Sequence, residues 1–223
     1  VIDPNPARLE VFASSYGVAG QQSMEGLQAG AEDLVLLSVK PQSMDELLSA
    51  HASQIDEALI ISIAVGITTA KLASFFKAGT RIVKVMPNTP ALVGKGVSLL
   101  SAHEDTPEAD LDRAVAFFGS FGKAYAIEES KQNAGAAISG SGPAYFALVV
   151  DALTRAGVKQ GLPRELAEDL SVGTMAGTAK MLRKLDIHPE ELVDMVSSPG
   201  GTTIEAIAEL EDYKIRAAFS SAI

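Results

Sequence analysis

Three short segments carry residues that could do chemistry. The first is Ser197-Ser198-Pro199-Gly200-Gly201-Thr202-Thr203-Ile204-Glu205, which joins two glycines to a run of hydroxyls. Thr202-x-x-Glu205 matches a capping box, and the match predicts a helix starting there. The glycines admit unusual backbone angles and the close approach of a ligand. Free N–H groups at a helix start, beside Ser and Thr hydroxyls, would bind an anion such as a carboxylate without any Arg or Lys. A capped helix after a flexible turn accounts for the same residues. The second segment is Met86-Pro87-Asn88-Thr89-Pro90. Its prolines stiffen a loop that presents an amide and a hydroxyl, which suits a planar carboxamide such as nicotinamide; a rigid turn alone reads equally well. The third, Ser38-Val39-Lys40-Pro41, follows an apolar run. Ligands of open α/β sheets bind beyond the carboxyl ends of the strands. Lys40 would then lie near a cofactor phosphate, or be a solvated lysine on a turn.

Other chemistries find little support. No Ser-His-Asp order, catalytic carboxylate pair or Walker motif is present, which argues against hydrolase and kinase activity. The chain has no cysteine, so it offers no thiol nucleophile and no Cys-ligated zinc. His51, His103 and His188 lack metal-ligand spacing, and no metal is expected. Lys plus Arg number 18 against 28 Asp plus Glu, a net charge of −10 with no basic cluster, so nucleic acid is not an expected partner.

The elements that must position these segments follow from the apolar pattern. An apolar fraction of 47% supports a packed core. Apolar runs at 33–39, 58–64 and 81–86 predict strands, with two more at 96–101 and 123–127. Helical runs intervene at 41–49, 68–77 and 107–118. Strands without alternation are buried on both faces, which predicts a doubly wound parallel sheet. From Glu129 onward only helices are expected, at 141–158, 163–185 and 189–196, then from Thr202. The partition is therefore 1–127 as an α/β domain and 128–223 as a helical domain. The uncharged run 132–150 contains Gly140, Gly142 and Pro143, so two buried helices broken by a turn are expected rather than a membrane span. Gly173-x-x-x-Gly177 and Ala134-Gly135-Ala136-Ala137 permit close helix packing, within the chain or across subunits. No signal peptide precedes Val1, and a soluble cytoplasmic protein is expected.

Nucleotide-binding α/β domains normally open with a strand, a G-x-G-x-x-G turn and a helix. This sequence instead opens on Val1-Ile2-Asp3, which resembles the end of a second strand with its ribose-holding acid. Asp3 is also a plausible cap for a helix beginning near Pro4 or Pro6. Gly140-Ser141-Gly142 lacks the third glycine and follows the strands, so it is assigned to a turn between helices.

Taken together, SVKP (38–41), ISIAVG (61–66), VMPNTPALV (85–93), SGSGPAYF (139–146), GLPRELA (161–167), AGTAKML (176–182), HPEEL (188–192) and DMVSSPGGTTIEAIAELE (194–211) resemble the pyrroline-5-carboxylate reductase family over nearly the whole chain. The resemblance implies an α/β Rossmann-like N-terminal domain followed by an all-α dimerisation domain, assembled as a homodimer or higher homo-oligomer. It implies reduction of 1-pyrroline-5-carboxylate to L-proline, the last step of proline biosynthesis, by a hydride from NADP(H) or NAD(H). The N–H groups of Gly201, Thr202 and Thr203, with Ser198, would hold the substrate carboxylate, and Thr203 would be the catalytic hydrogen-bond partner or proton relay at the ring nitrogen. Val39, Lys40, Pro41, Asn88 and Thr89 would line the nicotinamide side, Ile63, Ala64 and Val65 a strand end near the cofactor, and Asp3 and Asn5 the adenosine ribose.

There are departures from the family pattern. The first βα unit with its glycine-rich turn is absent, and the sequence stops inside a helix expected near Lys214, so a piece of a longer chain is expected. Glu25 stands where relatives place Asn in the adenosine pocket, and its charge would repel a phosphate. The alternatives are a catalytically inactive dimerisation fragment, or a related imine or β-hydroxyacid reductase. SSPGGTT argues against the latter.

Overall fold

The computed structural model describes residues 1–223. The chain divides into two compact units, Val1–Gly140 and Ser141–Ile223. The first contains α1 (Pro6–Tyr16), β1 (Leu34–Leu37), α2 (Pro41–His51), β2 (Leu59–Ser62), α3 (Thr69–Ala73), β3 (Ile82–Met86), β4 (Gly96–Ala102), α4 (Glu108–Gly119), β5 (Gly122–Ala126) and α5 (Gln132–Ser139). The second contains α6 (Gly142–Lys159), α7 (Arg164–Leu185), α8 (Pro189–Val196), α9 (Thr202–Asp212) and α10 (Ile215–Ala222).

All five expected strands form one sheet in the order β1-β2-β3-β4-β5. Three neighbouring pairs are parallel, but β3 and β4 run antiparallel. The expectation of a wholly parallel sheet is corrected there. Segment 87–95 is too short to hold a crossover helix, so the chain turns straight back. Ile2 makes only an isolated parallel bridge to Gln21.

Alternation along the strands feeds two cores. Ile60 and Ile82 pack on one face with Met44 and Leu48 of α2 and Leu72 of α3. Leu59, Ile61, Val83 and Val85 pack on the other with Ala114 and Phe118 of α4. Asp110, Ala114 and Phe118 are the buried stripe of α4, four residues apart, as an amphipathic helix requires. α5 lies on β4 so closely that a Cβ at Gly135 would collide with the Leu99 side chain. Composition therefore changes near 127, whereas the compact unit continues to Gly140.

The second unit has a thin interior. Its buried residues are Gly142, Thr154, Ala167, Ser171 and Leu192, and both apolar cores belong to the first unit. α6 and α7 approach closely at Gly157, where a Cβ would stand 3.0 Å from the Ala167 Cβ. Helices α5 and α6 do break at Gly140-Ser141, but the expectation that they are buried fails for the single chain: Phe146, Leu148 and Leu153 are exposed. By length and composition the run Glu129–Lys159 could cross a membrane. A Cβ at Gly173 or Gly177 would meet open space, so these small residues serve no packing within the chain.

Two helix starts differ from expectation. Asn5, not Asp3, caps α1, accepting from the Ala7 N–H at 3.0 Å. α9 is preceded by Gly201 as its N-cap, and no side chain caps it. The capping box is thus not formed, because Thr202 already lies inside the helix and cannot reach back as a cap.

Candidate functional site

Three segments expected to face a cofactor lie beyond the carboxyl ends of parallel strands. Val39, Lys40 and Pro41 follow β1, and Ile63, Ala64 and Val65 follow β2. Lys40 is the extended residue before α2, and Pro41 occupies the helix's first turn, where its lack of an N–H costs nothing. The Ala64 N–H donates to the Ser62 hydroxyl at 3.3 Å, and Val65 is exposed. Gly66 follows at φ +80°, and a Cβ there would project into open space. Val65 and the open space at Gly66 stand where open α/β sheets take their ligands, so the residues present fit the nicotinamide side of such a group.

Asn88 and Thr89 follow β3. The Asn88 amide is tied at both atoms: its Oδ1 accepts the Val97 N–H at 2.8 Å, and its Nδ2 donates to the Ser139 carbonyl at 2.8 Å. One side chain therefore joins the end of β3, the start of β4 and the end of α5. Thr89 opens the 3-10 turn Thr89–Val93 and is exposed.

Behind this loop is a polar cluster that sequence reasoning missed. Lys84, on β3, is 5% exposed, and its Nζ lies 3.3 Å from Glu129 Oε1. Thr69 donates to the same carboxylate through its N–H at 3.0 Å and its hydroxyl at 2.6 Å. Burial pushes the Glu129 carboxyl up, but the Thr69 hydrogen bonds and the Lys84 ammonium outweigh it and hold the group below its ordinary value. Gln132 is fully buried and donates to the Lys84 carbonyl at 3.2 Å and the Ser101 hydroxyl at 2.9 Å, while its Oε1 has no partner. The one available signal was a charged residue inside an apolar strand, Ile82-Val83-Lys84-Val85-Met86.

At the other end of the first unit, the Asp3 carboxylate accepts the Asn5 N–H at 2.8 Å and pairs with Arg8 at 3.2 Å. The Asn5 N–H, and after it Arg8, hold the Asp3 carboxyl below its ordinary value despite some burial. The Arg8 side chain remains largely exposed in this pair. Glu25 is exposed, whereas its neighbour Met24 is built into the core.

The second unit contributes the loop before α9. Gly200 is left-handed at φ +66° and turns the chain so that the Gly201 N–H donates to the Ser198 carbonyl at 2.9 Å. This corrects one detail of the expected anion site: the Gly201 N–H is already used within the turn. The N–H groups of Thr202 and Thr203 have no partner, as first-turn amides do not. Thr203 is half-buried and Ser198 exposed. The Ser197 hydroxyl oxygen is shut from solvent without a hydrogen bond. No Lys or Arg occurs in segment 197–205, so a bound anion would depend on amides and hydroxyls alone.

A mostly parallel sheet with Val65 and Thr89 exposed beyond its strand ends, followed by a helical unit with uncovered apolar residues, defines a Rossmann-like protein of two units. Residues 129–223 match the family model described as pyrroline-5-carboxylate reductase dimerisation, and residues 1–66 match one described as NADP oxidoreductase, coenzyme F420-dependent. The chain is 36% identical to the pyrroline-5-carboxylate reductase of Synechocystis sp. over 221 residues, covering 99% of this chain and 82% of that protein. It superposes on a pyrroline-5-carboxylate reductase from Coxiella burnetii with TM-score 0.92 and 34% identity, covering 100% of this chain and 83% of that one. The Plasmodium falciparum pyrroline carboxylate reductase, solved with NADP bound, gives TM-score 0.82 at 34% identity, over 92% of this chain and 78% of that one. The chain belongs to the pyrroline-5-carboxylate reductase family.

Proposed function

We propose that this protein reduces 1-pyrroline-5-carboxylate to L-proline, the last step of proline biosynthesis, with NAD(P)H supplying the hydride when bound. Within a chain of this family, the observation that carries the reading is the pair of unpaired amides, Thr202 and Thr203, opening α9 in a loop without Arg or Lys.

The substrate offers one anion and one electrophile. Its carboxylate would accept from the Thr202 and Thr203 N–H groups and the Ser198 hydroxyl, with the start of α9 adding favourable dipole. Gly201 contributes space and turn geometry to this site. The Thr203 hydroxyl would hydrogen-bond the ring nitrogen or relay its proton. A protonated cyclic imine is already electrophilic, so the chain's work is positioning and electrostatics. Val39, Lys40, Pro41, Ile63, Ala64, Val65, Asn88 and Thr89 would hold the nicotinamide side, and Asp3 and Asn5 the ribose. Residues 1–127 would then be the nucleotide-binding domain and 128–223 the dimerisation and substrate-binding domain. Arg8 is paired with the Asp3 carboxylate and is not a free reader of a 2′-phosphate, so the proposal covers NADP and NAD alike.

The family's dimerisation domain supports a homo-oligomer. A homodimer is the form we propose, because Phe146, Leu148, Leu153 and the Gly173/Gly177 stripe lie open in the single chain. A reaction consuming NAD(P)H needs a compartment that supplies it, which favours the cytoplasm.

The test is oxidation of NADPH and NADH by the protein in the presence of 1-pyrroline-5-carboxylate. Imine-dependent loss of the reduced cofactor, with proline formed in equal amount, is the expected result. No turnover by a folded oligomer would favour the inactive dimerisation reading. Faster turnover of another cyclic imine would reassign the substrate.

A further inference from the structure

The Lys84–Glu129 pair lies outside every residue given a role above, yet it connects to the nicotinamide-side loop by two routes. Along β3, Lys84 is four residues before Asn88. Through space, Glu129 leads into α5 by way of Gln132, and the far end of α5 receives the Asn88 amide at the Ser139 carbonyl, 2.8 Å away. α5 is thus pinned at both ends to one short stretch of chain. Its N-terminal end is held by Glu129 on Lys84 and by Gln132 on the Lys84 carbonyl and the Ser101 hydroxyl. Thr69 completes the carboxylate's shell and draws in α3, which follows the Ile63-Ala64-Val65 strand end.

We infer that Lys84 and Glu129 form a positioning pair that sets the placement of Asn88-Thr89 and Ile63-Ala64-Val65 against the nicotinamide. The inference rests on the cofactor assignment proposed above. A buried lysine ammonium is costly unless paired and hydrogen-bonded, so removing either partner leaves the other in an unfavourable place and frees α5 to shift. Hydride transfer is sensitive to such shifts, because ångström-scale displacement of a positioning group costs rate. Residues 198–203 supply none of the hydrogen bonds or ion pairs of this network. The pair should therefore act on turnover and leave the substrate's KM alone.

The experiment compares the parent protein with Glu129→Gln, Lys84→Met, the double variant and Lys84→Arg. The expected result is a kcat about tenfold lower in each single variant with the imine KM within about twofold, and a double variant no worse than either single one. Lys84→Arg keeps the charge pair and should keep most of kcat, which retains a test if Lys84→Met fails to fold. Unchanged kcat in folded Glu129→Gln, or additive losses in the double variant, would overturn the pairing; so would a fall in thermal midpoint as the sole effect. Direct titration with NADPH separates this inference from the substrate assignment. If the parent binds NADPH but does not reduce the imine, the proposed reaction fails. The pair then stands or falls on whether Glu129→Gln weakens NADPH binding by about threefold or more.

Discussion

Gly201 and Ser198 are locked to each other twice. The Gly201 N–H donates to the Ser198 carbonyl at 2.9 Å, and the Ser198 hydroxyl fills the place where a Gly201 Cβ would stand. The turn therefore aims Ser198 at the start of α9 only while position 201 has no side chain. Gly201→Ala should displace that hydroxyl and raise the imine KM about tenfold, with a smaller change in kcat, in steady-state assays.

Thr203 is the residue assigned to the ring nitrogen. Thr203→Ala should slow turnover by more than about tenfold, or ~1.4 kcal/mol of barrier, while the fold survives. Unchanged kinetics would remove Thr203 from the mechanism.

Asn88 bridges two backbone groups that want opposite partners. Asn88→Asp keeps an acceptor for the Val97 N–H but sets an oxygen against the Ser139 carbonyl. Losing that half-buried donor should cost about 1–3 kcal/mol, read as a lower denaturation midpoint. Turnover should fall with it, because the same loop is the one proposed to face the nicotinamide.

Glu129 gives the fold an acid-sensitive contact. Its folded carboxyl titrates below the ordinary value of 4.5, so its stabilising contribution is fully present above that pH and is lost as pH falls through the folded value. Glu129→Gln should therefore lower the thermal midpoint most at neutral pH and flatten the acid limb, with parent and variant converging as pH falls through the folded value. Parallel acid limbs in parent and variant would contradict this.

Leu148 is 70% exposed on α6 in the single chain. If the homodimer covers it, Leu148→Glu should shift the protein toward monomer in sedimentation velocity. Activity should become dependent on protein concentration.

Much of the fold was legible because buried strands and amphipathic helices leave strong periodic signals. β2, with every residue buried, reads as an apolar run, and Pro41 marks the start of α2. The β3–β4 reversal was not legible, because an apolar run does not carry the direction of its strand. The capping box failed for a related reason. Thr202-x-x-Glu205 has the right spacing, but the left-handed turn at Gly200 places the cap one residue earlier. The loop's candidacy was readable from its composition, whereas the occupation of the Gly201 N–H was not, since a hydrogen bond to Ser198 depends on backbone angles. Lys84 and Glu129 stand far apart in sequence, and only tertiary packing makes them a pair. The exposure of α6 was concealed because a stretch destined for an interface has the composition of an interior.

The antiparallel pairing of β3 with β4 has a kinetic consequence. Every other neighbouring pair in the sheet must await a crossover helix, whereas these two strands are separated only by segment 87–95, and the Asn88–Val97 bond closes over nine residues. Short loops close quickly and at small entropic cost. This hairpin is therefore the natural early nucleus of the sheet. A refolding chain should shape the corner proposed for the nicotinamide before the surrounding layers have condensed, and amide-exchange pulse labelling should find Val97 protected among the first.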